Sequence, residues 1–449
     1  MNDLRVGRVL RVMLPLFAVA ALTAEQPSVI DKVFAEFWKA EDVRGAERVV
    51  ARLLKSGVAF DDAYARLQAG RPYAKERTGE IAMRFTGGGG VLFENRIEIP
   101  DEYVPTRPWQ VRVQLHGGVS RPPSTTAASG VTLEEESSPQ SGRAPNLSRP
   151  RRENRIRGES QIYIYPSGFA GAEWWHGNQF ENILRLIDRV KRKYNVDESR
   201  IYMTGVSDGG TGTYYMAMKD PTLWSAFLPL NGSIKVLMNP DARAEGELFS
   251  TNLVNRPFYI VSGGRDPLYP ARDVQTHVDA FQRIGVALVF RAQPEAGHDT
   301  SWWPYERSLF EQFVRQKPRA AHPARVSWQT ESVDRFNRAD WLVIDKLGLG
   351  SMDYDFEPVD IFAHRRPSGR VDISRSGNTF DAHTRGVKEF TLLLSPDAIE
   401  FSKPVRVRVN ERQVFEGPVN RDLAVLLKWA ARDNDRTRLY GAELKVIVP

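Results

Sequence analysis

The sequence predicts a mainly parallel α/β sheet covered by helices on both faces, preceded by a small helical region and followed by a small β-sandwich. Three observations lead there. Between residues 110 and 314 short β-rich runs alternate with amphipathic helical patterns, which is how strands joined by crossover helices read. Past Pro318 the alternation gives way to short, closely spaced strand patterns, as in a sandwich. The chain has 449 residues, more than one domain usually holds.

In chain order, residues 1–24 look like a secretory signal. Arg5, Arg8 and Arg11 form a positive start, residues 12–22 are apolar, and Ala18, Ala20, Ala21 and Ala24 offer small residues for cleavage. An uncleaved amphipathic helix is the alternative reading, with Asp3 and Pro15 in its favour. Val33, Phe34, Phe37, Val49, Val50, Leu53 and Leu54 then recur at helical spacing, and residues 60–67 continue the pattern. This places a helical region over 25–78. Residues 81–86 and 91–99, parted by Gly87, Gly88, Gly89 and Gly90, read as a hairpin opening the catalytic unit at 79–318. Strands are expected at 111–115, 161–165, 201–204, 226–230, 258–262 and 287–291, and helices at 179–194, 211–219, 273–284 and 308–314. Residues 119–160 are rich in Ser, Pro, Thr and Arg with no apolar period, so a flexible surface insertion is expected there. The C-terminal unit, 319–449, should hold strands at 325–329, 341–347, 370–374, 389–394, 405–409, 413–416 and 442–448, with a helix at 423–431.

Composition narrows the function. Hydrophobic residues make up 41% and charged residues 26% of the chain, ordinary values for a globular protein. The net charge of +6 sits mostly in one stretch, where Arg143, Arg149, Arg151, Arg152, Arg155 and Arg157 crowd around Glu153. A nucleic-acid partner is therefore not expected, since it needs basic residues along a folded face. The sequence has no cysteine, which excludes disulfides, thiolate metal sites and a cysteine nucleophile. Export without disulfides fits a bacterial envelope or secreted protein. No stretch beyond the N-terminus is long and apolar enough to predict an integral membrane span.

The chemistry lies in the alternating region. The strand at 201–204 runs into Gly205-Val206-Ser207-Asp208-Gly209, and a helix follows at once. That is a G-x-S-x-G elbow in its strand–turn–helix setting, which exposes the serine oxygen at a strained turn. The adjoining helix N-terminus places partial positive charge where an oxyanion forms. Upstream, the first core strand ends in His116-Gly117-Gly118, the kind of loop that supplies a second backbone N–H. Asp208, Gly117 and Gly118 are thus the expected oxyanion hole, and His116 is expected to be structural. Downstream, one strand leads to Gly263-Gly264-Arg265-Asp266 and the next to Gly297-His298. The order Ser…Asp…His is that of α/β-hydrolases. Ser207 is read as nucleophile, His298 as its base and Asp266 as the orienting carboxylate. Asp299, the neighbour of His298, and Asp208, the neighbour of Ser207, are the rival carboxylates, but adjacent side chains on a loop generally point apart and Asp208 is assigned to the oxyanion side through its backbone.

On Leu115-His116-Gly117-Gly118, Asn195-Val196-Asp197 with Arg200-Ile201-Tyr202, the Ser207 elbow, residues 264–270 and Gly297-His298, the chain resembles secreted bacterial α/β-hydrolases. These are grouped with prolyl-oligopeptidase-type peptidases, dienelactone hydrolases and polyester-depolymerase-like esterases. The likeness spans about residues 79–314. It implies an α/β-hydrolase fold and hydrolysis through an acyl-enzyme without metal or cofactor, Ser207, Asp266 and His298 taking the matching roles. The insertion at 119–160 and the C-terminal unit depart from the pattern.

Two aromatic pairs, Trp174-Trp175 and Trp302-Trp303, fall on loops beside the expected site. They either line a substrate pocket or roof the core, and the sequence favours neither. The expected substrate is a small-molecule or polymer-attached carboxylic ester. Hydrolysis of short peptides is the nearest alternative, and a catalytically silent envelope binding protein on the same fold is an alternative of another class.

Overall fold

A computed structural model of the chain describes residues 28–119, 156–348 and 360–449. The expected signal at 1–24 and nearly all of the expected insertion at 119–160 lie outside the described residues. The chain begins with three helices, α1 (Val29–Lys39), α2 (Val43–Lys55) and α3 (Phe60–Ala69). Ser28 and Asp31 form a reciprocal capping box on α1, and Asp42 caps α2. The apolar faces of these helices close on one another.

The central sheet is built from β1 (Gly79–Thr86), β2 (Leu92–Ile99), β3 (Trp109–Leu115), β4 (Ile162–Tyr165), β5 (Val196–Val206), β6 (Ala226–Leu230), β7 (Phe258–Gly263) and β8 (Leu288–Gln293). Its order is β1-β2-β4-β3-β5-β6-β7-β8. Only β2 runs against its neighbours β1 and β4; the remaining pairs are parallel. Helices α4 (Gly177–Lys193), α5 (Asp208–Lys219), α6 (Lys235–Met238), α7 (Ala271–Arg283) and α8 (Trp303–Gln316) connect the later strands. The central strands β4, β6 and β7 are buried at every position, as a sheet covered on both faces demands, and successive side chains pack on opposite faces. Ile201, Met203, Phe227, Phe258 and Ile260 pack under α4, α5 and α7. Tyr202, Leu228, Tyr259 and Val261 pack under Phe310, Phe313 and Val314 of α8.

The C-terminal part is a sandwich. Its strands are β9 (Arg325–Thr330), β10 (Arg338–Ala339), β11 (Leu342–Leu347), β12 (Gly369–Ser376), β13 (Thr379–Arg385), β14 (Val387–Leu394), β15 (Val405–Val409), β16 (Arg412–Gly417) and β17 (Ala442–Ile447), with helix α9 (Leu423–Asp433). One sheet runs β10-β11-β14-β17 and the other β16-β15-β13-β12-β9. Trp328, Phe380, Phe390 and Val407 fill the space between them. Two features are not legible in the sequence. The first is β13, which lies parallel to β15. The second is that α9 turns Leu426, Leu427, Ala430 and Ala431 into the core of α1–α3, so the N-terminal helices are closed by the C-terminal end of the chain.

The sandwich joins the central sheet through buried charge. Arg319 donates to Glu198 O and to Asp435, whose carboxylate also accepts from Arg438. Arg256 beside β7 pairs with the fully buried Asp340. Among the described residues no helix is long and apolar enough to cross a membrane.

Candidate active site

The loops following β5, β7 and β8 meet at the carboxyl edge of the sheet, the edge where ligands bind in open α/β folds. Ser207 stands between β5 and α5 with φ 58° and ψ −120°. A side chain is held in that strained turn only because the backbone around it is crowded. A Cβ on Gly205 would lie 2.1 Å from Gly209 O, so the turn closes only with glycine there. The Ser207 N–H donates to Leu230 O of β6 at 2.9 Å, which anchors the turn to the neighbouring strand.

His298 lies on the loop between β8 and α8. Its Nε2 is 2.8 Å from Ser207 Oγ, and its Nδ1 is 2.7 Å from Asp266 Oδ2. Asp266 is 2% exposed, yet it is well satisfied, because Oδ1 accepts the N–H groups of Leu268 and Tyr269 at 2.8 and 3.0 Å. A buried carboxylate so held fixes the imidazole tautomer, proton on Nδ1 and lone pair on Nε2 toward the serine. The Tyr269 ring meets the His298 ring edge-on at 5.7 Å. Burial and the nearby Asp208 and Asp266 carboxylates push its phenol up, so it stays neutral. The rival Asp299 is turned away. Its carboxylate accepts from Ser301, and those hydrogen bonds hold it below its ordinary range.

The loop after β3 backs directly onto Ser207. A Cβ on Gly117 would lie 2.9 Å from Ser207 Cβ, and Gly118 adopts φ +71°. The Asp208 backbone starts α5, where the helix N-terminus favours negative charge. Its side chain has a job the sequence did not disclose: Oδ2 accepts the Val119 N–H at 3.0 Å, tying the glycine loop to the start of the helix. His116 faces inward. It accepts the Gly168 N–H at Nε2 and lies 2.8 Å from Gly117 O at Nδ1, and burial lowers its pKa so that it stays neutral.

Among the described residues the aromatic pairs pack against the core and the neighbouring loops. Trp174 is completely buried, packs edge-on against His116 and donates from Nε1 to His116 O at 2.8 Å. Trp175 is buried with Nε1 on Ala242 O. Trp302 is buried under α8, and Trp303 packs on Phe310 with Nε1 on Arg157 O. Burial of Trp174, Trp175 and Trp302 favours the roofing role for those three rings, while Trp303 is half-buried. The indole N–H groups of Trp174, Trp175 and Trp303 are spent on backbone carbonyls that hold the loops, while that of Trp302 is buried without a partner among the described residues.

Two further residues hold the site. Asn231, just after β6, is fully buried and bonds to the loops of both Asp266 and His298. Glu306 of α8 gathers Tyr259, Arg291 and Gln293, locking the helix beyond His298 onto β7 and β8. The Asn-Gly pair at 231–232 reads in the sequence only as a turn. Among the described residues no cluster of three or more His, Asp or Glu side chains is placed to hold a metal ion.

The strand order, the single antiparallel strand and the serine turn at the end of β5 decide the fold. The chain has the α/β-hydrolase fold. Residues 168–247, which include the serine turn, match the prolyl oligopeptidase family. The chain is 31% identical over 77 residues to a bifunctional acetylxylan esterase/xylanase of Neocallimastix patriciarum, a match covering 16% of this chain and 12% of that protein. Among solved structures it is similar to a thermostable esterase, at TM-score 0.40 and 20% identity over 54% of this chain and 63% of that one. It is also similar to the acylaminoacyl peptidase of Pyrococcus horikoshii, at TM-score 0.38 and 15% identity over 54% of this chain and 42% of that one.

Proposed function

We propose that this chain is a serine hydrolase cleaving carboxylic esters through an acyl-enzyme on Ser207. The observation that carries the proposal is the unbroken line Ser207 Oγ–His298 Nε2–His298 Nδ1–Asp266 Oδ2, with spacings of 2.8 and 2.7 Å. A serine hydroxyl is a poor nucleophile until a base takes its proton, and this line supplies the base and its orienting carboxylate. Ser207 Oγ attacks the ester carbonyl carbon while its proton passes to His298 Nε2. The carbonyl oxygen becomes an oxyanion facing the backbone N–H of Asp208 and of the loop at Gly117 and Gly118. Collapse expels the alcohol, which takes the proton from His298. Water then attacks the acyl group, giving its proton to His298, and Ser207 leaves with that proton restored.

The acetylxylan esterase among the relatives supports a small or polymer-attached ester as substrate. Peptide hydrolysis is the second reading, favoured by the match to the prolyl oligopeptidase family, since one triad serves both bonds. Residues 1–24 support a further proposal, that the protein is exported, which the N-terminal sequence of the mature protein tests. A fluorophosphonate probe tests the main proposal: it labels the wild type, and Ser207→Ala loses both labelling and turnover. Removal of a triad nucleophile lowers kcat by about 10⁴–10⁶, so undiminished turnover by folded Ser207→Ala overturns it. Parallel assays on p-nitrophenyl esters and peptide amides separate the two readings.

A further inference from the structure

The reacting side chains of this site sit on three different loops, and the relative position of those loops sets the contacts between them. At the end of β6, two consecutive residues touch all three. Leu230 O accepts the Ser207 N–H at 2.9 Å, and Asn231 N–H donates to Val261 O of β7 at 2.8 Å. The Asn231 side chain then divides between the other two loops. Its Oδ1 accepts the N–H of Gly263, three residues before Asp266, at 3.2 Å. Its Nδ2 donates to the carbonyl of Asp299, the residue after His298, at 2.6 Å. One partner is an N–H and the other a carbonyl, so the amide can sit only one way round. Asn231 is fully buried and held at φ 47°, a left-handed conformation that asparagine tolerates better than most residues.

We propose that Asn231 is a positioning residue, a side-chain amide that sets the distance between the loop of Asp266 and the loop of His298. The proposal rests on the Ser207–His298–Asp266 reading. It accounts for a buried polar side chain at a left-handed backbone conformation, because the amide ties both loops to the end of β6, beside the Gly264 N–H to Gln293 O and Arg265 N–H to Ala296 O bonds that join them to each other. A carboxylate–imidazole contact of 2.7 Å tolerates little drift, and a misplacement of about 1 Å from a residue off the chemistry costs up to about 10²-fold in rate.

Two variants test it, with kcat taken per fluorophosphonate-titrated active site so that loss of folded protein does not count as loss of rate. Asn231→Gly suits the backbone and removes both bonds. Asn231→Asp keeps the acceptor for Gly263 but puts an oxygen against the Asp299 carbonyl. Both are expected to lower kcat on a p-nitrophenyl ester by about 10- to 100-fold, with KM within about threefold. The acidic limb of the kcat/KM pH profile should also move in Asn231→Gly. If Asn231→Gly does not fold, Asn231→Asp decides alone. Wild-type kcat per site in either folded variant overturns the proposal, as does a change confined to KM. Should Ser207→Ala retain turnover, the catalytic reading falls and this inference with it. If turnover depends on Ser207 but not on Asn231, only the positioning role falls.

Discussion

Asp266 serves His298 with one carboxylate oxygen and its own loop with the other. Oδ2 lies 2.7 Å from His298 Nδ1 while Oδ1 accepts two backbone N–H groups. The second pair of bonds stops the carboxylate from rotating, so the orientation of the imidazole is inherited from the backbone after β7.

That relationship separates Asp266 from Asp299. Asp266→Asn replaces the accepting oxygen or turns an N–H toward Nδ1, and the imidazole then takes the wrong tautomer. The expected loss in kcat is about 10⁴ with the fold intact. Asp299→Asn changes a carboxylate engaged with Ser301 and should leave kcat within about threefold. Steady-state kinetics on the two variants decide, and a crippled Asp299→Asn beside an active Asp266→Asn would reverse the assignment.

The parts read from the sequence are those with local signatures. The glycines at 205 and 209 and the strand and helix around them announce Ser207, because a sharp turn between apolar runs can be built in few ways. What stayed hidden depends on contacts far apart in the chain. In β13 only Phe380 and Ala382 are buried, against exposed or half-exposed Thr379, Asp381, His383 and Thr384, too weak an apolar signal to mark a strand. Leu426 and Leu427 show an amphipathic helix but not that its partner lies at α1–α3. Asn231 looks like a turn residue, and its meaning arises only from Gly263 and Asp299. The tryptophan pairs are undecidable from sequence for the same reason, since burial is a property of the whole fold.

Trp174 offers a check on that last point. Its ring fills the space between Gly168, Gly212 and His116, and its N–H holds the His116 carbonyl. Trp174→Ala should therefore cost about 3–5 kcal/mol of stability, as large aromatic truncations in cores do, measured by chemical denaturation. A variant of wild-type stability whose only defect is a raised KM would return the ring to a substrate role.

The buried charges joining the sandwich to the central sheet give a second stability prediction. Burial alone would raise the Asp435 carboxyl, but the Arg319 and Arg438 guanidiniums and the Lys191 ammonium outweigh it and hold the group ionised, below its ordinary range. Asp435→Asn keeps the shape while leaving Arg319 and Arg438 short of a counter-charge. Removing one partner of a buried pair costs about 3–5 kcal/mol. Because these groups are out of solvent, the loss should change little between low and high salt, which a denaturation series in both conditions reports.

His322 carries the pH prediction. It sits where the chain passes from α8 to β9, its ring edge-on to Tyr440 at 5.9 Å. Neither ring nitrogen has a hydrogen-bond partner among the described residues. Burial, with the Arg438, Arg375 and Arg319 charges and against the opposing Asp397, pushes its pKa down from 6.5 to about 4. The folded protein thus binds this proton less readily than the unfolded chain. The contribution of neutral His322 is fully present above pH 6.5 and is lost as the pH falls through that value toward 4. A depression of that size corresponds to a loss of roughly 3 kcal/mol. His322→Leu, which cannot take up a proton, should be spared that part of the acid loss. Unfolding free energies of the two proteins measured at pH 7 and pH 4 test it: the wild type should fall further by a few kcal/mol. Equal falls would mean that His322 finds room or a partner for its proton in the folded state, and that the acid sensitivity of the joint lies in the carboxylates around it.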